Sequence, residues 1–239
     1  AAEQPDGVVL GGDIAEGPEV VNYLRQMAAA LPCPVYFVLG NHDFYRSSIQ
    51  EVRAAVAAAA DEEPRLTYLS DAKFISLTPR VALAGHDGCG DGRAGDFFSS
   101  PVMLNDYFLI RELARLPWDE RLQRLNALGD EAADHAATVL PLALKDHAEA
   151  IFLTHVPPFR EACWHQGEIS DDDWAPHFCC LALGKTLRSV MEFLPDKQLT
   201  VLCGHTHSSG EAQILPNLRV FTGEAQYLHP QIQRILSLD

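Results

Sequence analysis

What this sequence lacks closes several classes of function before any motif is read. No apolar run in its 239 residues approaches the roughly 20 residues a helix needs to cross a bilayer, so no membrane partner is expected. Nothing in it resembles a secretory signal. Lys and Arg number 18 against 33 Asp and Glu, giving a formal charge of -15 and a pI near 5.0. A surface that grips a nucleic-acid backbone uses cations to displace counterions, and with no such excess no nucleic-acid partner is expected. The six cysteines include no C-x-x-C pair, and Cys179 and Cys180 are adjacent. Scattered thiols suit a reducing compartment, where cysteine acts as a small buried hydrophobe. A cytoplasmic location is the expectation. Internal repeats, low-complexity tracts and linkers are absent too. Residues 1–239 therefore read as one domain, with 47% hydrophobic residues to fill its core.

What is present is an alternation of short apolar runs and helical patterns. Val8–Leu10 reads as a strand, followed after Pro18 by a helix whose apolar face is Val20, Val21, Leu24, Met27 and Ala28. Pro34–Leu39 is a second strand. Ser48 and Glu51 form a capping box for a helix through Ile49, Val52 and Val56. Short strands are predicted at 66–69, 74–77 and 81–84, leading into a glycine-rich loop at 85–95. The next fifty or so residues are mostly helical in pattern, punctuated by Pro117, Gly129 and Pro141. Strands at 150–154 and 199–203 flank a helix marked by Leu183, Leu187, Val190, Met191 and Leu194. A hairpin turned by Pro216-Asn217 ends the pattern. The loops at 85–100 and 158–180 are candidates to cap a site.

Four apolar strands each deliver polar residues at their carboxyl ends: Asp13; then Asn41, His42 and Asp43; then His155; then His205 and His207. Each ending has a bland reading. Asp after Gly-Gly starts turns and caps helices, Asn and Asp are turn formers, and a histidine can simply precede a rigid Pro-Pro. Four such endings in one chain are not explained that way. In layered α/β folds, ligands bind beyond the carboxyl ends of the strands, and neutral imidazole is a common metal ligand.

Taken in order, Gly12-Asp13, Gly40-Asn41-His42-Asp43, His155 and Gly204-His205-Thr206-His207 resemble the calcineurin-like metallophosphoesterase family. The resemblance implies an α/β fold of two packed mixed β-sheets flanked by helices, a four-layer αββα sandwich, with a site for two metal ions at one edge. Under it, Asp13 would bridge both ions, Asn41, His155 and His205 would ligate the second, and His207 the first. His42 would be the catalytic histidine beside the leaving group, with Asp43 orienting it. Carboxylate, amide and imidazole donors suit two divalent transition metal ions such as Mn, Fe, Zn or Ni.

One departure stands out. Family members begin with a strand ending in Asp-x-His, which supplies further ligands of the first metal. Only twelve residues precede Asp13 here, whereas a whole βαβ unit takes about 30. Three readings compete: the chain given is a piece lacking its first βα unit, the protein binds one metal, or it is a non-catalytic relative. The first is the favoured expectation, because a central strand left open would expose an apolar edge.

The expected function is metal-dependent hydrolysis of a small phosphomonoester or phosphodiester by a metal-bound hydroxide, with His42 as general acid. The alternative is a non-catalytic scaffold on the same fold with an incomplete metal site. A small phosphorylated substrate is the expected partner. Asn41, His86, Asp87, Arg93, Trp164, His165 and His177 are its candidate contacts. No G-K-[ST] follows the glycine-rich loop, so it carries no nucleotide signature.

Overall fold

Parallel strands need a crossover to return the chain to the same edge, and the first third of the molecule supplies two. The structure, a computed structural model, describes residues 4–226 and 229–238. Strand β1 (Val8–Gly11) leads through helix α1 (Glu19–Ala30) to its parallel neighbour β2 (Val35–Val38). Helix α2 (Ile49–Glu62) then returns the chain to β3 (Leu66–Tyr68), parallel to β2. The capping box forms as read: Ser48 Oγ accepts from the Glu51 N–H at 3.0 Å. The helix faces predicted from spacing are the buried ones. Val20, Leu24 and Ala28 of α1 and Ile49, Val52 and Val56 of α2 pack with Val35, Phe37, Leu66 and Tyr68.

The second sheet is larger and mixed. It collects β4 (Ile75–Ser76), β5 (Val81–His86) and β6 (Glu149–Thr154); after the small hairpin β7 (Trp164–His165) and β8 (Glu168–Ile169) come β9 (Gln198–Cys203), β10 (Gly210–Leu215) and β11 (Leu218–Thr222). Its order is β10-β11-β9-β6-β5-β4, parallel from β11 to β5 and antiparallel at both edges. The chain also forms helices α3 (Asp106–Leu109), α4 (Trp118–Asp146), α5 (Ala175–Phe178) and α6 (Leu181–Phe193). Ala132, Ala136 and Leu140 of α4 and Leu183, Leu187 and Met191 of α6 bury Phe152 and Val201 of this sheet. Its other face meets the first sheet, where Val38 and Leu69 pack on Leu83, Ile151 and Leu153. The result is helix, sheet, sheet, helix, with both sheets clad on their outer faces.

The expected punctuation at Gly129 and Pro141 does not break α4, which runs unbroken through both. Pro141 removes the N–H that Ala137 would accept, but both residues are exposed, so the freed carbonyl is open to solvent. Gly129 is needed for space. A Cβ there would lie 2.6 Å from Asp91 Cβ. The polar stretch after Pro158, read as irregular, contains the β7–β8 hairpin and α5.

Among the described residues, no helix is long and apolar enough to cross a membrane. One contact tests the packing directly. A Cβ on Gly184, inside α6, would stand 1.9 Å from the Pro158 carbonyl oxygen. Glycine-to-alanine in a helix ordinarily stabilises by about 1 kcal/mol; here Gly184→Ala should instead cost roughly 1–3 kcal/mol by overpacking. That is a fall in melting temperature of about 2–4 °C per kcal/mol for a chain of this size. A raised midpoint in thermal circular dichroism would contradict the contact.

Candidate metal centre

The parallel pairings bring the carboxyl ends of β1 and β2 together in one sheet, and those of β6 and β9 in the other. Where the sheets face each other these ends nearly touch. Two glycines permit it. A Cβ on Gly40 would lie 2.2 Å from Asp13 Oδ1 and 2.7 Å from His155 Cε1, and one on Gly12 would lie 2.7 Å from His155 Nδ1. Gly12 also has φ +92°, open to glycine at little cost.

The side chains that follow converge. Asn41 Oδ1 stands 3.0 Å from His155 Nε2 and 3.0 Å from His205 Nδ1, and the two nitrogens are 3.3 Å apart. Asp13 Oδ1 lies 3.4 Å from His155 Nε2 and accepts the His42 backbone N–H at 3.1 Å. The hydrogen bonds on the far side of each ring decide what these contacts are. His155 Nδ1 faces the Gly11 carbonyl at 2.7 Å and His205 Nε2 faces the His177 carbonyl at 3.3 Å. A carbonyl oxygen only accepts, so each ring carries its hydrogen there. The Asn41 amide is fixed the same way, its Nδ2 donating to Asp106 Oδ1 at 2.8 Å. Lone pairs of two imidazoles, an amide and a carboxylate therefore point at one another with no hydrogen between them. A proton on one ring would relieve a single contact; a cation relieves them all.

Electrostatics agree. Burial and the neighbouring His155 push His205 down to about 3, so its ring is neutral at physiological pH. Burial pushes the Asp13 carboxyl up, but the imidazoles of His155, His42 and His205 more than offset this and hold it below its ordinary value. His207 is half buried on the same turn as His205 and lowered by burial, with Asp13 acting the other way. Backbone strain is concentrated here: Asp13, His205 and His207 have φ of +54°, +69° and +61°, a region that costs a non-glycine residue about 1–3 kcal/mol. No group of three or more His, Cys, Asp and Glu among the described residues already stands in metal-ligand geometry. The cluster is completed by an amide oxygen, Asn41, and a cation would have to draw its members into coordination.

A calcineurin-like phosphoesterase family model matches residues 1–209. The chain belongs to that family. Among solved structures it is similar to the phosphopantetheinyl hydrolase PptH from Mycobacterium tuberculosis, with a TM-score of 0.71 and 14% identity, covering 95% of this chain and 81% of that one. It is similar to a dimetal phosphatase from Danio rerio (TM-score 0.56, 16% identity, 92% and 72% covered) and to TT1561 of Thermus thermophilus (0.51, 16%, 92% and 76%). No curated protein matches. Membership makes phosphoester hydrolysis the general chemistry of this fold, and at these identities the neighbours speak for the fold alone.

The residues read as site candidates divide. Asp13, Asn41, His155 and His205 meet in the cluster, and the His42 ring stacks on Tyr45 beside it with centroids 4.4 Å apart. Asp43, expected to orient His42, is engaged by backbone donors. Its two carboxylate oxygens accept the backbone N–H groups of Ile14, Ala15 and Gly40 at 2.7–2.9 Å, clamping the Asp13 turn to the end of β2. Burial and the Asp13 charge raise its carboxyl to about 8, against the pull of those three donors.

Three expected substrate contacts are engaged by other groups of the protein, Asp87 and His86 in its interior. Asp87 is fully buried and accepts from Leu39 N, Arg53 Nε, Tyr68 Oη and Ser70 Oγ. His86 is buried and accepts the Gly88 N–H. Arg93 pairs with Asp91 and Asp130. A buried loop must satisfy its own polar atoms, and the 85–95 loop does so with these side chains. His165 lies nearer the cluster, its Nδ1 3.3 Å from the Thr206 carbonyl, while its Nε2 and Thr206 Oγ1 are buried without a partner. Trp164 fills the space beside Gly210, where a Cβ would meet its ring at 2.2 Å.

Sequence reading missed Asp106 and the use made of His177. Asp106 also accepts from Tyr45 Oη at 2.8 Å and lies 65 residues from Asn41, so spacing gave no signal of it. The His177 ring is locked between Tyr107 Oη at 2.5 Å and Ser100 Oγ at 3.0 Å, which fixes the carbonyl that His205 faces. Burial lowers His177 to about 4 from its ordinary 6.5. It stays neutral in the fold while the unfolded chain takes up a proton below 6.5, so stability is lost as pH falls from 6.5 toward 4. His177→Gln should lose less stability than the parent over that window in denaturant titrations, with the difference vanishing above pH 7. A parallel decline in both would contradict the neutral His177.

Proposed function

We propose that the chain hydrolyses a small phosphomonoester or phosphodiester at this cluster, with divalent transition metal ions held by its side chains. The observation that supports it most is the convergence of Asn41 Oδ1, His155 Nε2 and His205 Nδ1 with their hydrogens turned away. Asp13, Asn41, His155 and His205 would hold one ion, and Asp13 with His207 would reach a neighbouring one. Bound there, such ions neutralise phosphate charge and acidify a water, the chemistry a hydrolase needs at neutral pH.

The protein's own groups do the rest. Gly11 O and His177 O, as acceptors, hold two imidazoles in the tautomers that present bare nitrogens. Asp106, held in place by Tyr45 Oη, keeps the Asn41 oxygen turned inward. His42 sits at the edge of the cluster, kept there by its stack on Tyr45. It would give a proton to the departing oxygen, a role worth roughly 10²–10⁴-fold in rate.

These roles separate experimentally. Purified full chain should bind manganese or zinc by elemental analysis, and removing metal with a chelator should abolish hydrolysis of p-nitrophenyl phosphate or its bis ester. His205→Ala should lose metal and turnover together, whereas His42→Ala should keep metal and lose roughly 10²–10⁴-fold in kcat. Asp106→Ala should weaken metal binding about 10- to 100-fold, as losing the partner of a ligand does. A metal-loaded chain inert on every ester would end the hydrolytic reading.

A further inference from the structure

Beside the cluster lies a cavity of about 440 Å³, within the 300–1,000 Å³ usual for small-ligand sites. Two of its lining residues, Ile14 and Ala15, follow Asp13 directly, and their N–H groups are the ones Asp43 holds. Another is Tyr45, the ring on which His42 stacks. The cavity therefore shares a wall with the residue placed next to the departing oxygen. Pro18 and the half-exposed Tyr23, from the start of α1, also line it. Apolar and aromatic surface dominates this lining.

Its charges are unequal. Glu16, Glu19 and Arg46 complete it, and Arg46 is ion-paired to Glu16. Glu19 sits in the first turn of α1, where a carboxylate already answers the positive end of the helix. One guanidinium against two carboxylates leaves the cavity net negative.

We infer that this cavity receives the leaving group of the phosphate ester and selects an uncharged aromatic alcohol over one bearing a second anionic group, an inference that rests on the phosphoesterase reading above. With phosphorus at the metal cluster and His42 at the departing oxygen, the remainder of the alcohol extends along Tyr45 toward Tyr23. A flat ring finds aromatic surface on that path. A second phosphate or carboxylate meets the like charges of Glu16 and Glu19, which repel it.

The test compares 4-nitrophenyl phosphate with 4-carboxyphenyl phosphate on manganese-loaded full chain. Tyr23→Ala should raise KM for the nitrophenyl ester about five- to tenfold with a smaller change in kcat, and Tyr23→Phe should restore it. Glu16→Gln with Glu19→Gln should shift the kcat/KM ratio toward the carboxyphenyl ester by about tenfold. An independent readout needs no turnover: ¹⁹F NMR of 4-fluorobenzyl alcohol should show binding to the metal-free parent and to Tyr23→Phe, lost in Tyr23→Ala. Unchanged KM and unchanged charge preference in normally folded variants would overturn the inference, as would no binding by NMR. Tyr23-dependent binding with no ester turned over would sink the hydrolytic reading and leave the aromatic selectivity of the cavity standing.

Discussion

The mutual repulsion of lone pairs around Asn41 Oδ1 is the constraint on which the rest of the structure turns. Each imidazole facing that oxygen has its hydrogen drawn to a backbone carbonyl on the opposite side, and the amide hydrogens are drawn to Asp106. An arrangement of this kind is unfavourable by itself, because buried acceptors without donors are costly. It persists because the surrounding protein leaves the rings no other orientation. Gly11 O belongs to β1, and His177 is wedged between Tyr107 and Ser100. The orienting carbonyls thus come from rigid parts of the molecule.

The same logic accounts for the local strain. Three non-glycine residues with positive φ sit at the ends of β1 and β9. Turning the backbone through a left-handed residue immediately after a strand re-aims the side chain that strand would otherwise point along its pleat. Asp43 stabilises one of these turns by accepting from three backbone N–H groups at once. Local instability at the cluster is thereby matched by stabilising contacts a few residues away.

Much of this was legible in the order of the residues. Short apolar runs ending in Asp, Asn or His announced both the strands and the ligand-type side chains, because a strand's carboxyl end is where a parallel sheet presents its groups. The helix faces of α1, α2 and α6 followed from a period of 3.6. What could not be read depended on contacts distant along the chain. Asp106 lies in a stretch whose pattern was merely helical, and nothing local distinguishes it from a surface carboxylate. The backbone donors of Asp43 could not be read either, because its neighbour in sequence is His42, whereas these amides belong to another strand's turn. Asp87 and Arg93 looked available because loops are usually exposed; this loop is held under the 172–180 segment, with Asp91 N–H donating to Cys179 O and Gly92 N–H to Pro176 O.

The burial of Asp87 has a wider meaning. Its side chain takes N–H and O–H donors from β2's end, α2 and β3, while its own carbonyl accepts the N–H of His155 at the end of β6. One residue therefore rivets the two sheets together beside His155, a member of the converging cluster. Shearing one layer past the other would strip a submerged anion of its donors, a loss on the order of 3–5 kcal/mol. Sliding one layer past the other is therefore costly for this molecule, whereas the turns outside the sheets do not share that anchor.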